Sequence, residues 1–147
     1  MQTQDLTPEL REGHAKLARI VAACGGRVSA IVVECTDTND DGTADPTAKA
    51  PWAERKARHL GKLQSISTSA ALVVACDKLH NIRSQVADLH HDGKTVEFNA
   101  PYEARKAVQV EAIVALRDKI PARLYADLCD AHEEWEQLHE LAAEDDT

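Results

Sequence analysis

The sequence predicts an all-α fold, a helical bundle of five to six helices forming one domain over residues 1–147. Three observations carry this expectation. Hydrophobic residues make up 44% of the chain but aromatics only 3%, so the core has to come from aliphatic faces, and Ala and Leu are strong helix formers. Apolar residues recur in steps of three and four, the signature of one helix face. Gly and Pro fall between these runs and act as punctuation. A chain of about 150 residues buries roughly 68–70% of its unfolded surface, enough for a single core.

Each element follows from its own signals. Thr7 caps a first helix with Pro8 at its first position, and Leu10, Leu17, Ile20 and Val21 repeat at helical spacing until Gly25-Gly26. Arg27 to Cys35 is a short apolar segment that reads as helix, with strand left open by Val32-Val33. A polar loop covers Thr36 to Ala50. Pro51 opens a basic helix reaching Ser65, and Ser67 or Thr68 caps a long one running to about His91. Its stripe is Leu72, Ala75, Leu79, Ile82, Val86 and Leu89. The Val73-Val74 side is apolar as well, which makes this the central helix, covered on both sides. His91-Asp92 reads as a surface feature at its end, and Asp92-Gly93 stops it. A helix from about Pro101 to Lys119 and another from Pro121 to about Glu144 complete the chain, the last with Leu124, Leu128, Ala131, Trp135 and Leu138 in register.

Charge and composition exclude several function classes. The net charge is −8, yet Leu124 to Thr147 holds nine acidic residues and no Lys or Arg, while the first 123 residues hold 17 basic and 16 acidic ones. The acidity therefore belongs to the C-terminal helix, 121–147. No Lys/Arg stripe of the kind nucleic-acid binding needs is present. No apolar run reaches the roughly 18 residues of a membrane helix, and Met1 to Leu10 lacks the pattern of a signal peptide, so a cytoplasmic protein is expected. Cys24, Cys35, Cys76 and Cys129 lie 11, 41 and 53 residues apart, each in an apolar run. Buried free thiols in a reducing compartment are the expectation.

One residue departs from an ordinary helix pattern. Asp77 lies nearly opposite the Leu72–Leu79 stripe at about 100° per residue, but its own side carries Ala70 and Val74. A helix apolar on both sides predicts an Asp77 carboxylate at least half buried, which demands a cation, a metal or several donors. Asn81 and Ser84 share its face, so one stretch presents an acid, an amide and a hydroxyl. The plainer reading pairs Asp77 with Arg55 or Lys56 of a neighbouring helix.

The segment Ala75-Cys-Asp-Lys-Leu-His-Asn-Ile-Arg-Ser84 resembles the final motif of HD-domain phosphohydrolases, in particular the guanosine polyphosphate hydrolases of the RelA/SpoT type. The resemblance extends through Val28-Ser-Ala-Ile-Val with Cys35-Thr-Asp-Thr38, Pro51-Trp-Ala-Glu-Arg-Lys56, and Phe98-Asn99, and covers Arg27 to about Lys119. It implies a partial HD-like all-α fold and a metal-dependent hydrolase of guanosine polyphosphates or related nucleotides. By the same resemblance Asp77 is the last metal ligand and Asn81 helps hold the nucleotide, with a divalent cofactor, Mn²⁺ or Mg²⁺, where the site is complete. Arg83, Arg55 and Lys56 are further candidates for phosphate contacts.

The chain departs from the family pattern in its other ligands. The family takes these from an upstream His and an adjacent His-Asp pair, whose segment lies before the start of this chain. Between Met1 and Gly26 the only histidine is His14. One carboxylate does not hold an ion that wants about six ligands, which leaves the catalytic residues unassigned. A second pattern, Asp37, Asn39, Asp41, Gly42 and Asp45, matches the opening of a calcium loop at positions 1, 3, 5, 6 and 9, but position 12 is Ala48 where a bidentate Glu belongs. An ordinary solvated loop is the expectation there.

Three function classes follow. One is an HD-type phosphohydrolase, here incomplete or degenerate. The second is a non-catalytic helical domain that binds a nucleotide or a protein. The third is an interaction protein with a calcium loop. A homo-oligomer is expected in addition, because without further helices beside Asp77 apolar surface stays exposed there.

Overall fold

The computed structural model of the chain describes residues 8–35, 51–92 and 100–145. The calcium-loop residues Asp37, Asn39, Asp41 and Asp45, the Thr7 cap and Phe98-Asn99 lie outside the described residues. Six helices and no strand are found among the described residues: α1 (Pro8–Cys24), α2 (Gly26–Cys35), α3 (Trp52–Ser65), α4 (Thr68–Asp92), α5 (Tyr102–Leu116) and α6 (Ala122–Asp145). The fold is all-α, and Arg27–Cys35 is helix, so its Val pair does not override the surrounding helical spacing. None of these helices is long and apolar enough to cross a membrane.

The chain divides into two compact units, Met1–Arg55 and Lys56–Thr147. In the first, α1 and α2 pack against each other. The turn between them is Gly25, at φ +86, a left-handed conformation that an L side chain adopts only with strain. Its amide donates to the Val21 carbonyl at 2.9 Å and closes α1. Ser29 is the only buried residue of α2, and its hydroxyl donates to the Gly26 carbonyl of its own helix.

The second unit holds the hydrophobic core. α4 is its longest helix at 25 residues and buries Ala71, Val74, Ala75, Leu79, Ile82, Val86 and Leu89 along one side, with Ala70 buried in its first turn. Ser67 starts it, accepting a hydrogen bond from the Ala70 amide at 3.2 Å. α6 contributes Leu128, Ala131 and Trp135 to the same core, and α5 contributes Ala112, Ile113 and Leu116. α5 runs antiparallel to α6: Gln109 meets His132, Lys106 meets Glu136 and Tyr102 meets His139. α5 ends at Leu116, three residues earlier than its apolar spacing suggests, because Arg117–Lys119 form a tight turn leading into Pro121. Lys119 then reaches back, its Nζ donating to the carbonyls of Gln64 and Ile66 at 3.0 and 3.1 Å, which satisfies the C-terminal end of α3.

Two expectations about burial are corrected by this packing. Leu72 is 43% exposed and Val73 48%, so α4 is covered on one side and open on the other. Its inner face follows the sequence stripe from Ala75 onward, but Leu72 lies at the edge of the outer face. The cysteines are free, as expected, but not buried: Cys24, Cys35 and Cys76 are exposed and Cys129 is half-buried. An apolar neighbourhood in sequence does not fix the face on which a thiol lies. Cys76 follows Ala75, which is fully buried, by about 100° around the helix.

Candidate functional site

The outer face of α4 carries the residues singled out by sequence. Asp77 is exposed, contrary to the expectation of a half-buried carboxylate: Ala70 and Val74 on its side are buried, at 0% and 7% exposure, but Val73, about 40° around the helix from it, is uncovered. Its Oδ2 accepts a hydrogen bond from Asn81 Nδ2 at 3.1 Å, one helical turn on. Ser84 shares the face, but its hydroxyl donates to the His80 carbonyl at 2.9 Å. Acid and amide are therefore joined, and the hydroxyl is turned to the backbone. Arg83 is exposed but is set about 120° around the helix from Asp77. Arg55 and Lys56 are half-buried near the start of α3. The helix thus brings together Asp77 and Asn81 alone among the four nucleotide-contact candidates and the metal candidate.

These residues do not fit a Mn²⁺ or Mg²⁺ ion. Asp77 offers one carboxylate, the Asn81 amide nitrogen faces that carboxylate, and the Ser84 hydroxyl is occupied. No group of three His, Cys, Asp or Glu side chains suited to a metal gathers among the described residues. What the outer face does present is an apolar patch, Leu72 and Val73, leading into Cys76, Asp77, His80 and Asn81, all of them exposed.

A second cluster, between α5 and α6, was not visible as a site in the sequence. Tyr102 packs on Trp135 at 5.2 Å and on His139 at 4.6 Å between ring centroids, and Trp135 meets His139 edge-on at 4.5 Å. Arg105 lies over the Trp135 ring and Lys106 over Tyr102. Lys106 pairs with Glu136. Gln109 Nε2 lies 2.6 Å from His132 Nδ1, so the amide donates and His132 Nδ1 is the unprotonated acceptor. The residues 102, 105, 106 and 109 and their partners 132, 135, 136 and 139 each repeat at three or four. That spacing is the one signal by which they were readable.

This cluster makes stability depend on pH. Burial lowers the His132 imidazole below its ordinary 6.5, against the opposing pull of Glu136, and burial together with the Arg105 charge lowers His139. Both rings are neutral in the fold, and His139 Nε2 is buried with no hydrogen-bond partner. The unfolded chain takes up protons on these rings first as pH falls through 6.5, so the fold loses stability below that value. The Lys106 ammonium, by hydrogen bonding, holds Glu136 below the usual carboxylate range, so a further loss sets in as the same carboxylate protonates in the unfolded chain and is complete once it protonates in the fold. The urea midpoint is expected to be flat from pH 8 to 7 and to fall between pH 6.5 and 5. In a His132→Gln/His139→Phe variant the slope over that interval flattens, and an unchanged slope contradicts the assignment.

No protein-family model matches the chain, and neither curated proteins nor solved structures give a match.

Proposed function

We propose that this chain is a non-catalytic helical domain that works by protein binding through the outer face of α4, with a second copy of itself as partner. The observation that carries the reading is the open apolar start of that face: Leu72 and Val73, at 43% and 48% exposure, on the helix that otherwise organises the core. Large apolar side chains grouped on one exposed face are the mark of an interaction surface, and a patch that meets its own copy gives the commonest closed assembly, a two-fold dimer. The acidic, apolar and polar parts of the face adjoin one another, so a partner buries Leu72 and Val73 while Asp77 and Asn81 stay satisfied by each other.

The test is the reactivity of Cys76, which adjoins the patch. Its alkylation rate, read from the peptide by mass spectrometry, is expected to fall as the protein is concentrated from micromolar to near-millimolar. A rate independent of concentration removes the reading.

A second reading, a metal-dependent phosphohydrolase of guanosine polyphosphates, is favoured by the Ala75–Ser84 resemblance and by the solvent-open Asp77–Asn81 pair. The first reading predicts that, with Mn²⁺ added, the chain hydrolyses guanosine tetraphosphate no faster than its Asp77→Ala variant. Turnover that disappears in Asp77→Ala establishes the second reading and shows that further ligands assemble around that carboxylate. Binding of the nucleotide without turnover, lost in Asn81→Ala, leaves a nucleotide-binding role for the face.

A further inference from the structure

We propose that the first half of α5, residues 102–109, is an acid-released latch on α6, which opens on mild acidification while the α4–α6 core stays folded. The two halves of α5 are held differently. Ala112, Ile113 and Leu116, the buried residues of this helix, all lie in its second half. Residues 102–109 meet α6 through aromatic and polar contacts instead: Tyr102 with Trp135 and His139, Arg105 with Trp135, Lys106 with Glu136, and Gln109 with His132. The helix also starts at Pro101 with no side chain capping its first turn. A segment with little buried apolar surface and an uncapped end opens at lower cost than a core helix.

Protonation of either histidine works against the closed latch. His132 Nδ1 accepts from Gln109 Nε2 at 2.6 Å, and a protonated ring donates from both nitrogens, so this hydrogen bond is lost unless the amide turns over. His132 Nε2 lies 3.8 Å from the Glu136 carboxylate, the same group that binds Lys106. A charged His132 therefore draws Glu136 toward its own helix and loosens the ion pair that crosses to α5. His139 packs against Tyr102 and Trp135, and its Nε2 is buried with no hydrogen-bond partner. A proton there is unsolvated and stands near the Arg105 charge. Burial, joined at His139 by Arg105, accordingly holds both rings below their ordinary 6.5. The charges acting on the two rings are Glu136 of α6 and Lys106 and Arg105 of α5, while Glu103 and Glu140 act on the Tyr102 hydroxyl. α4 meets the cluster through the neutral Gln85, which accepts from Trp135 Nε1. Opening withdraws Lys106 and Arg105 with α5 and lets water reach both rings, so the open form gains as pH falls below 6.5. Acid acts oppositely between α4 and α6, where a protonated His90 attracts Glu134 at 3.1 Å.

The test is hydrogen exchange of the full chain from pH 7.5 to 5.5, read on peptides by mass spectrometry and corrected for the intrinsic pH dependence of exchange. The protection factor of residues 102–109 is expected to fall by about tenfold or more below pH 6.5, while residues 79–89 of α4 keep theirs. In a Trp52→Phe background Trp135 is the one tryptophan, and its quenching by acrylamide should rise over the same interval with most of the helical circular dichroism retained. His132→Gln/His139→Phe is expected to keep residues 102–109 protected down to pH 5.5, and His90→Gln to behave as the parent. Loss of protection in α4 and in residues 102–109 at the same pH overturns the proposal, as does a protection factor of residues 102–109 that does not change. Both outcomes are read on the parent, so they decide the matter even where the double variant fails to fold. A folded double variant that opens as the parent does overturns it as well.

Discussion

Trp135→Ala is expected to cost about 3–5 kcal/mol, a large share of the roughly 5–15 kcal/mol that holds a domain folded. Trp135 is 1% exposed and is the largest fully buried side chain. It joins three helices at once: Tyr102 of α5 stacks on it, His132 and His139 of α6 flank it at 5.8 and 4.5 Å, and its Nε1 donates to Gln85 Oε1 of α4 at 2.9 Å. Truncation leaves a cavity whose walls belong to different elements and cannot close together. Trp135→Phe separates the contributions, since the ring remains and the hydrogen bond is lost. Because Gln85 is half-buried and can turn to water, the Phe variant should lose only about 1 kcal/mol. Urea titration of both variants checks this, and equal losses contradict the packing account.

Leu63→Ala is expected to cost about 2–5 kcal/mol. Leu63 lies in the last turn of α3 at 1% exposure, next to the carbonyls of Gln64 and Ile66 that Lys119 holds. The side chain and the lysine together fix the end of α3 to the turn between α5 and α6, so the loss should appear as one cooperative transition. Leu60→Ala, at a half-buried position of the same helix, should lose clearly less. Matching losses at the two positions in thermal unfolding refute the assignment of Leu63 to the core.

Helix positions were the legible part of the fold, for reasons that can be named. Gly25 needs its positive φ, Ser67 supplies a cap oxygen, and Pro51, Pro101 and Pro121 each stand immediately before a helix. These are local signals that survive without knowledge of the partner. Which side of a helix is covered is not local. Leu72, Val73 and Val74 are consecutive and similarly apolar, yet only Val74 is buried, because the neighbouring helices pack on a single side of α4. The same ignorance of partners placed Cys76 and Asp77 in the interior. The α5–α6 cluster depends on residues 23 to 37 positions apart in the chain meeting across two helices. Periodicity identified each face but carried no information on what it would touch.

The outer face of α4 is proposed here as a contact surface for a second copy of the chain. Sedimentation velocity of the parent and of Leu72→Glu/Val73→Glu, in reducing buffer without added metal over a hundredfold range of concentration, reads out this contact. Both positions are exposed in the single chain, so the substitutions should change folding stability by only about 0.5 kcal/mol, and thermal unfolding at low concentration verifies that. The sedimentation coefficient of the parent is expected to rise with concentration to that of a dimer, and the double variant to stay monomeric. A parent that sediments as a monomer throughout, or a double variant that associates as the parent does, contradicts it.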